Sequence, residues 1–173
     1  MNDLDEFDVH ILQELQKSSA ISNQDLASQV HISPPTCLRR VKRLRDAGYI
    51  EREVAILSAD KLAPITGYGL TALVEVTLDV QNAQSLDAFE SRACSEPLVQ
   101  QCYRVSPGPD FMLVIYCLDM PAYLALSQTL FAQDANVRNA RAFFNVKRAK
   151  FTTSIPLRQT KSLLSSSAQA AKR

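Results

Sequence analysis

ISNQDLASQVHISPPTCLRRVKRL, residues 21–44, reads as two short helices joined by a tight turn, the second of them strongly basic. Ser22 is placed to cap the first helix, and Asp25 falls three residues on, where a carboxylate opposes the positive end of the helix dipole. Leu26, Ala27 and Val30 form its apolar stripe, and His31 and Ile32 make the turn. Ser33 is placed to cap the second helix, with Pro34 at the first helical position, where a missing N–H costs nothing. Cys37, Val41 and Leu44 recur at helical spacing and face inward, which leaves Thr36, Arg39, Arg40, Lys42 and Arg43 outside. A helix with an apolar back, a polar N-terminal end and a row of guanidiniums matches the width and the hydrogen-bonding edges of a DNA major groove. On that reading Arg39, Arg40 and Arg43 meet phosphates or a guanine. Ser33, Pro35 and Thr36 lie closest to base edges or backbone. Arg40 has a second reading, as the partner of an acidic group within its own domain. A basic run is often only a solvated face, but here cap, turn and basic helix agree with one another.

Outward from this stretch, Leu4, Phe7, Ile11, Leu12 and Leu15 repeat at three and four, predicting a helix over Leu4–Ser18 with Asp3 as its cap. His10 falls on its polar flank. Gly48 ends the basic helix at the position that favours a left-handed backbone. Tyr49–Leu57 alternates apolar and charged residues and reads as extended, either a small wing or the strand leaving the domain. Residues 58–69, with Pro64, Gly67 and Gly69, are the best linker.

The chain has 173 residues and a formal net charge of +1, so it is no polycation, and nucleic-acid binding has to come from local charge. Arg39, Arg40, Lys42, Arg43, Arg45 and Arg52 crowd into one segment, preceded by Asp3, Asp5, Glu6 and Asp8. No apolar run reaches membrane-spanning length and the N-terminus is acidic, which predicts a cytoplasmic protein without a membrane partner. Cys37, Cys94, Cys102 and Cys117 stand singly inside apolar patterns and read as reduced core residues, with no metal site or cofactor expected.

Beyond residue 69 the period changes. Leu70–Leu78 alternates as a strand, Ser85–Cys94 as an amphipathic helix and Leu98–Val105 as a more polar strand. Ser106-Pro107-Gly108-Pro109 is a turn. Phe111–Leu118 is almost continuously apolar, Pro121–Ala132 is helical, and Val137–Phe151 reads as a long final strand. The order βαββαβ predicts a ferredoxin-like sandwich, making the chain α+β with a helix-turn-helix domain in front. Both helices would cover one sheet face, and the doubly apolar strand asks for cover on the other, which a second copy would supply. The expected organisation is a helix-turn-helix domain over 1–57, a linker over 58–69, a ferredoxin-like domain over 70–157 and a disordered tail over 158–173.

Four stretches carry a family resemblance: LDEFDVHILQELQ at Leu4, ISNQDLASQVHISPPTCLRRVKRLRDAGYI at Ile21, PDFMLVIY at Pro109 and KFTTSIPL at Lys150. Their order and spacing resemble the leucine-responsive/asparagine-operon regulators, the Lrp/AsnC family of transcription factors. The resemblance implies a DNA-binding N-terminal domain, a C-terminal domain that senses a small amino acid and also mediates oligomerisation, and dimers that often assemble to octamers, with double-stranded DNA as partner on the nucleoid. It implies an effector site between C-terminal domains of different subunits, at Ser106, Pro107, Gly108, Asp110 and Phe111, with Ala142 on the last strand. The chain departs from the family there: Pro107 stands where a glycine is usual and Ala142 where a threonine is common. The amide of residue 107 and a hydroxyl at 142 are therefore missing as ligand contacts. That departure keeps open a ligand-independent, DNA-wrapping architectural protein of the same fold. Siroheme decarboxylases resemble the same layout but would need acid–base groups in the C-terminal domain, and both histidines, His10 and His31, lie in the N-terminal one. The sequence therefore reads as a regulator and not as an enzyme.

Overall fold

The computed structural model describes residues 4–157, Asp60 by its backbone alone; the tail expected over 158–173 lies outside the described residues. The chain divides into two units, residues 4–55 together with 150–157, and Ile56–Ala149.

The first unit is three helices. Helix α1 (Glu6–Lys17) is capped by Asp5, and Asp3 lies outside the described residues. Asp5 wins because Asp8 answers it: Asp8 N donates to Asp5 Oδ1 at 2.9 Å and Asp5 N donates to Asp8 Oδ2 at 3.2 Å. Two acidic side chains three apart thus satisfy two orphan donors reciprocally. Helix α2 (Asn23–Val30) starts under Ser22, whose hydroxyl accepts from Asp25 N at 3.1 Å, and ends at His31 in the left-handed region, φ 57°. Helix α3 (Pro34–Asp46) ends through Gly48, φ 76°, with Tyr49 N donating to Leu44 O at 3.0 Å. Ile11, Leu12, Leu26, Ala27, Val30, Cys37, Val41 and Leu44 form the core. Phe7, read as part of the inward stripe, is 36% exposed, and the Arg40 guanidinium lies over its ring at 5.4 Å.

Residues 150–157 complete this unit. Leu157 packs on its core, Gln13 Nε2 donates to Leu157 O at 3.2 Å, and Gln16 brackets Ile155, donating to its O at 3.1 Å and accepting from its N at 2.5 Å. The stretch makes these contacts with α1, although the expected boundaries, 70–157, put it in the C-terminal domain. Its backbone has no strand neighbour there, so the two glutamines supply hydrogen bonds instead. Tyr49–Leu57, expected to be extended, forms no strand.

The second unit opens with α4 (Ala59–Thr66), a short helix inside the stretch read as linker, begun by Ser58, whose hydroxyl accepts from Lys61 N at 3.4 Å. Gly69 follows where the Tyr116 side chain crosses the backbone; a Cβ there would lie 2.1 Å from the Tyr116 oxygen. The sheet is β1 (Leu70–Leu78), β2 (Val99–Arg104), β3 (Phe111–Cys117) and β4 (Val137–Phe144) in the order β2-β3-β1-β4, all pairings antiparallel. With α5 (Ala83–Ser95) and α6 (Met120–Ser127) this is the expected ferredoxin-like sandwich. The last turn after α6, Gln128–Ala132, is widened to a π-helix, and both Leu130 and Phe131 reach the core from it.

Strand β4 stops at Phe144, short of the expected Phe151. Asn145 N still reaches Thr71 O at 2.8 Å, but β1 begins at Leu70 and β4 has no other neighbour, so the ladder runs out. The inner face, Ala72, Val74, Val76 and Leu78 with Phe111, Leu113, Ile115 and Cys117, is buried under Phe89, Ala93, Tyr123 and Leu126. The outer face carries one row of Phe143, Leu73, Val114 and Gln101 and a second of Arg141, Glu75, Met112 and Tyr103. Leu73, Tyr103 and Phe143 are exposed on it. All four cysteines are free thiols, but only Cys37 and Cys117 are buried, Cys102 is half-buried and Cys94 lies exposed on α5. Burial and the neighbouring Cys94 push the Cys102 thiol up to about 12, away from thiolate reactivity. Among the described residues no helix is long and apolar enough to cross a membrane, and no group of three or more metal-binding side chains assembles.

Candidate nucleic-acid interface

Helix α3 presents its N-terminal end to solvent. Ser33, Pro34 and Pro35 are exposed and Thr36 is half-buried. Ser33 stands at the cap position but makes no capping hydrogen bond; its hydroxyl pairs with that of Thr36 at 2.8 Å. Pro34 and Pro35 lack N–H groups, so Thr36 N is the one donor of the first three helical residues that Ser33 leaves uncapped. Asn23 Nδ2 donates to Pro34 O at 2.9 Å and so fixes the start of α3 against the start of α2. The interior of α3 is anchored by Cys37, Val41 and Leu44, which aim the residues between them outward.

The cations on that outer surface are not equivalent. Arg40 Nη1 donates to Asp5 Oδ2 at 2.7 Å and to Asp8 Oδ1 at 2.8 Å, so it takes the intramolecular role the sequence left open. Arg43 Nη2 donates to Asp8 Oδ2. Arg45 Nη2 pairs with Glu53 at 2.6 Å, and Lys42 stands 3.9 Å from Asp46. Arg39 is exposed and has no carboxylate partner among the described residues. A shallow groove of about 240 Å³ runs between Asp5, Arg39, Arg40 and Arg43.

Asp8 is the organiser that sequence reading passed over. It is the one charged residue in the core among the described residues, 0% exposed, with both oxygens taken. Its signal was present: Leu4, Asp8, Ile11 and Leu15 are spaced four, three and four, so an acid stands in an apolar stripe. Burial pushes the Asp5 carboxyl up, but the Asp8 N–H and the Arg40 guanidinium outweigh it and hold Asp5 below the usual carboxylate value. Burial likewise opposes the charge on Arg40, and its bonds to Asp5 and Asp8 overcome that, raising its pKa.

The residues of the expected effector site are distributed over two sides of β1. In the turn after β2, Ser106, Pro107 and Gly108 are exposed, Gly108 with φ 119°. Asp110 Oδ2 accepts from Leu78 N at 2.7 Å and from Gln81 Nε2 at 3.2 Å, so its carboxylate ties the turn to the end of β1. Phe111 is fully buried, its ring 4.8 Å from that of Phe89. Ala142 pairs with Val74 across β4 and packs toward the helix-covered core, not toward the turn. With β1 between them, Ala142 and the start of β3 stand two strand spacings apart, about 10 Å. One copy of the chain therefore brings together Ser106, Pro107, Gly108, Asp110 and Phe111 and leaves Ala142 apart.

Comparison with known proteins adds the following. Residues 4–51 match a winged helix-turn-helix DNA-binding family and residues 71–155 match the Lrp/AsnC ligand-binding domain. The chain is 36% identical over 148 residues to a leucine-responsive regulatory protein of Rhizobium meliloti, covering 86% of this chain and 92% of that protein. It is 32% identical over 154 residues to the transcriptional regulator AzlB of Bacillus subtilis, covering 89% and 96%. A crystal structure of transcriptional regulator NMB0573 in complex with L-Met, from Neisseria meningitidis, superposes with a TM-score of 0.78 at 30% identity, covering 89% of this chain and 97% of that one.

Proposed function

The chain belongs to the Lrp/AsnC family of transcriptional regulators, and from that premise we propose that it binds double-stranded DNA through the exposed face of α3 under the control of a small amino acid. The observation that carries the DNA-binding half is the outward N-terminal end of α3, with Ser33, Pro35 and Thr36 at the tip and Arg39 one turn on without a carboxylate partner among the described residues. Ser33, Pro35 and Thr36 approach base edges or backbone, and Arg39 supplies a phosphate contact. Arg40 and Arg43 stand behind them, held by Asp5 and Asp8. The protein works as a homodimer in the cytoplasm, on the nucleoid. The support for the dimer is the apolar row Phe143–Leu73–Val114 on the open sheet face, which a second sheet would bury, and family membership extends this to higher assemblies.

The test is a salt series on the purified full chain with a duplex from its own promoter. Arg39→Gln is expected to weaken binding to every sequence alike and to flatten the log–log salt dependence by about 1.8, one phosphate contact from each protomer of the dimer. An unchanged slope removes Arg39 from the interface.

The effector half rests on the relative solved with L-Met and on the turn Ser106–Gly108. Ser106, Pro107 and Gly108 are its accessible part, while Asp110 and Phe111 hold the turn in place and Ala142 belongs to the core. An amino acid at one hundred times its dissociation constant is expected to stabilise the protein by about 2.7 kcal/mol, read as a rise in melting temperature across a panel of the twenty amino acids. A flat panel in protein that binds its promoter favours the second reading, a ligand-independent architectural regulator. Pro107, which offers no N–H, and the inward Ala142 both speak for that second reading.

A further inference from the structure

We propose that the buried Asp8, with Asp5 beside it, is a positioning residue for DNA binding: it holds Arg40 and Arg43 in internal ion pairs, so that α3 meets DNA through Arg39 and the tip of the helix. The inference deepens the DNA-binding reading above and rests on it. Helix α3 carries Arg39, Arg40, Lys42, Arg43 and Arg45, enough charge to bind any duplex indiscriminately. The carboxylates of Asp8 on α1 and of its cap Asp5 meet two of these guanidiniums, a cluster of zero net charge, and Glu53 meets a third. The Asp8 side chain is 1% exposed, and its carboxylate accepts from Arg40, Arg43 and its own helix cap, so it has no freedom to turn away. For either arginine to close on a phosphate it would have to leave a buried anion behind. The pairs therefore lower the sequence-independent part of the binding and leave the readout to side chains whose positions α3 fixes. Specificity here comes partly from what the acidic residues withhold.

The experiment compares the full-length protein with Asp8→Asn, which keeps the side-chain shape and removes the charge. Both are titrated with the promoter duplex and with a length-matched random duplex from 50 to 200 mM salt. In the dimer, releasing one arginine per protomer to phosphate steepens the loss of affinity over that range by roughly tenfold, and releasing both by roughly a hundredfold. The expected result for Asp8→Asn is a steeper salt dependence by one or two such steps, with a smaller ratio of promoter to random binding. A folded Asp8→Asn protein with the original slope and the original ratio overturns the proposal, since a purely structural role for Asp8 changes the melting temperature alone. If Asp8→Asn does not fold, Arg43→Gln, which keeps a donor for Asp8, is compared with Arg39→Gln in the original background. A slope change for Arg43→Gln less than half that of Arg39→Gln supports the proposal, and an equal change overturns it. Failure of the unaltered protein to bind either duplex would instead overturn the DNA-binding reading itself.

Discussion

Phe111→Ala is expected to destabilise the second unit by about 3–5 kcal/mol, toward the upper end of that range. Phe111 is 0% exposed at the start of β3. Its ring meets Phe89 on α5 at 4.8 Å and a 43° tilt, and the Arg104 guanidinium lies over it at 5.7 Å. The substitution thus opens a cavity and also breaks an aromatic pair worth about 1 kcal/mol beyond its area. The backbone around it has little room to close, because Phe111 is paired to Val76 on one side and Arg104 on the other. Domains of this size hold about 5–15 kcal/mol in all, so the variant should lose much of its margin. Urea denaturation followed by far-UV circular dichroism, which sees the sheet, reads the change as a lower midpoint at constant slope. A loss below about 1 kcal/mol would mean that the sandwich collapses into the space. The same side chain ends the turn proposed to hold the effector, so any ligand stabilisation seen in the unaltered protein should fall with it.

Arg40→Ala is the corresponding change in the first unit, with an expected cost of about 3 kcal/mol, the lower end for breaking a buried ion pair. Arg40 is 22% exposed and binds Asp8, which is 1% exposed, so its removal strips one oxygen of a buried carboxylate. Arg43 stays on the other oxygen, and that keeps the cost from being higher. The loss of the guanidinium over Phe7 adds to it. The expected signature separates Arg40 from Arg39. Arg40→Ala lowers the midpoint of unfolding and reduces DNA binding only in proportion to the unfolded fraction, whereas Arg39→Gln leaves the midpoint in place and moves the salt slope. Arg40→Ala with an unchanged midpoint and a flatter slope would return Arg40 to the DNA face.

The helices and strands were legible in the sequence because their signals were local and redundant. Ser22 and Asp25 announced α2, Gly48 announced the end of α3, and the alternation from Leu70 to Leu78 announced β1. What could not be read were the outcomes of competition between distant groups. Asp3 was the expected cap of α1, but the cap is Asp5, because Asp8 completes the pair with it. Six basic residues between Arg39 and Arg52 looked like one charged surface. Which of them is tied up in ion pairs depends on Asp5 and Asp8, some thirty-five residues earlier in the chain. Val137–Phe151 had the composition of a single long strand, but β4 could not outrun β1. Ala142 lies on the last strand as expected, but the sequence was silent about which way it faces. Its pairing with Val74 sends it into the core.

The return of residues 150–157 to α1 has a consequence for how the molecule is made. The second unit, Ile56–Ala149, is nested inside the first, like a module inserted into a loop of another. During synthesis the helix-turn-helix emerges first, yet Leu157 and the backbone bracketed by Gln13 and Gln16 come only after the whole sheet has been translated. The part of the chain that begins folding first is thus completed last. A regulator assembled in that order acquires its finished DNA-binding unit only once the module that governs it exists.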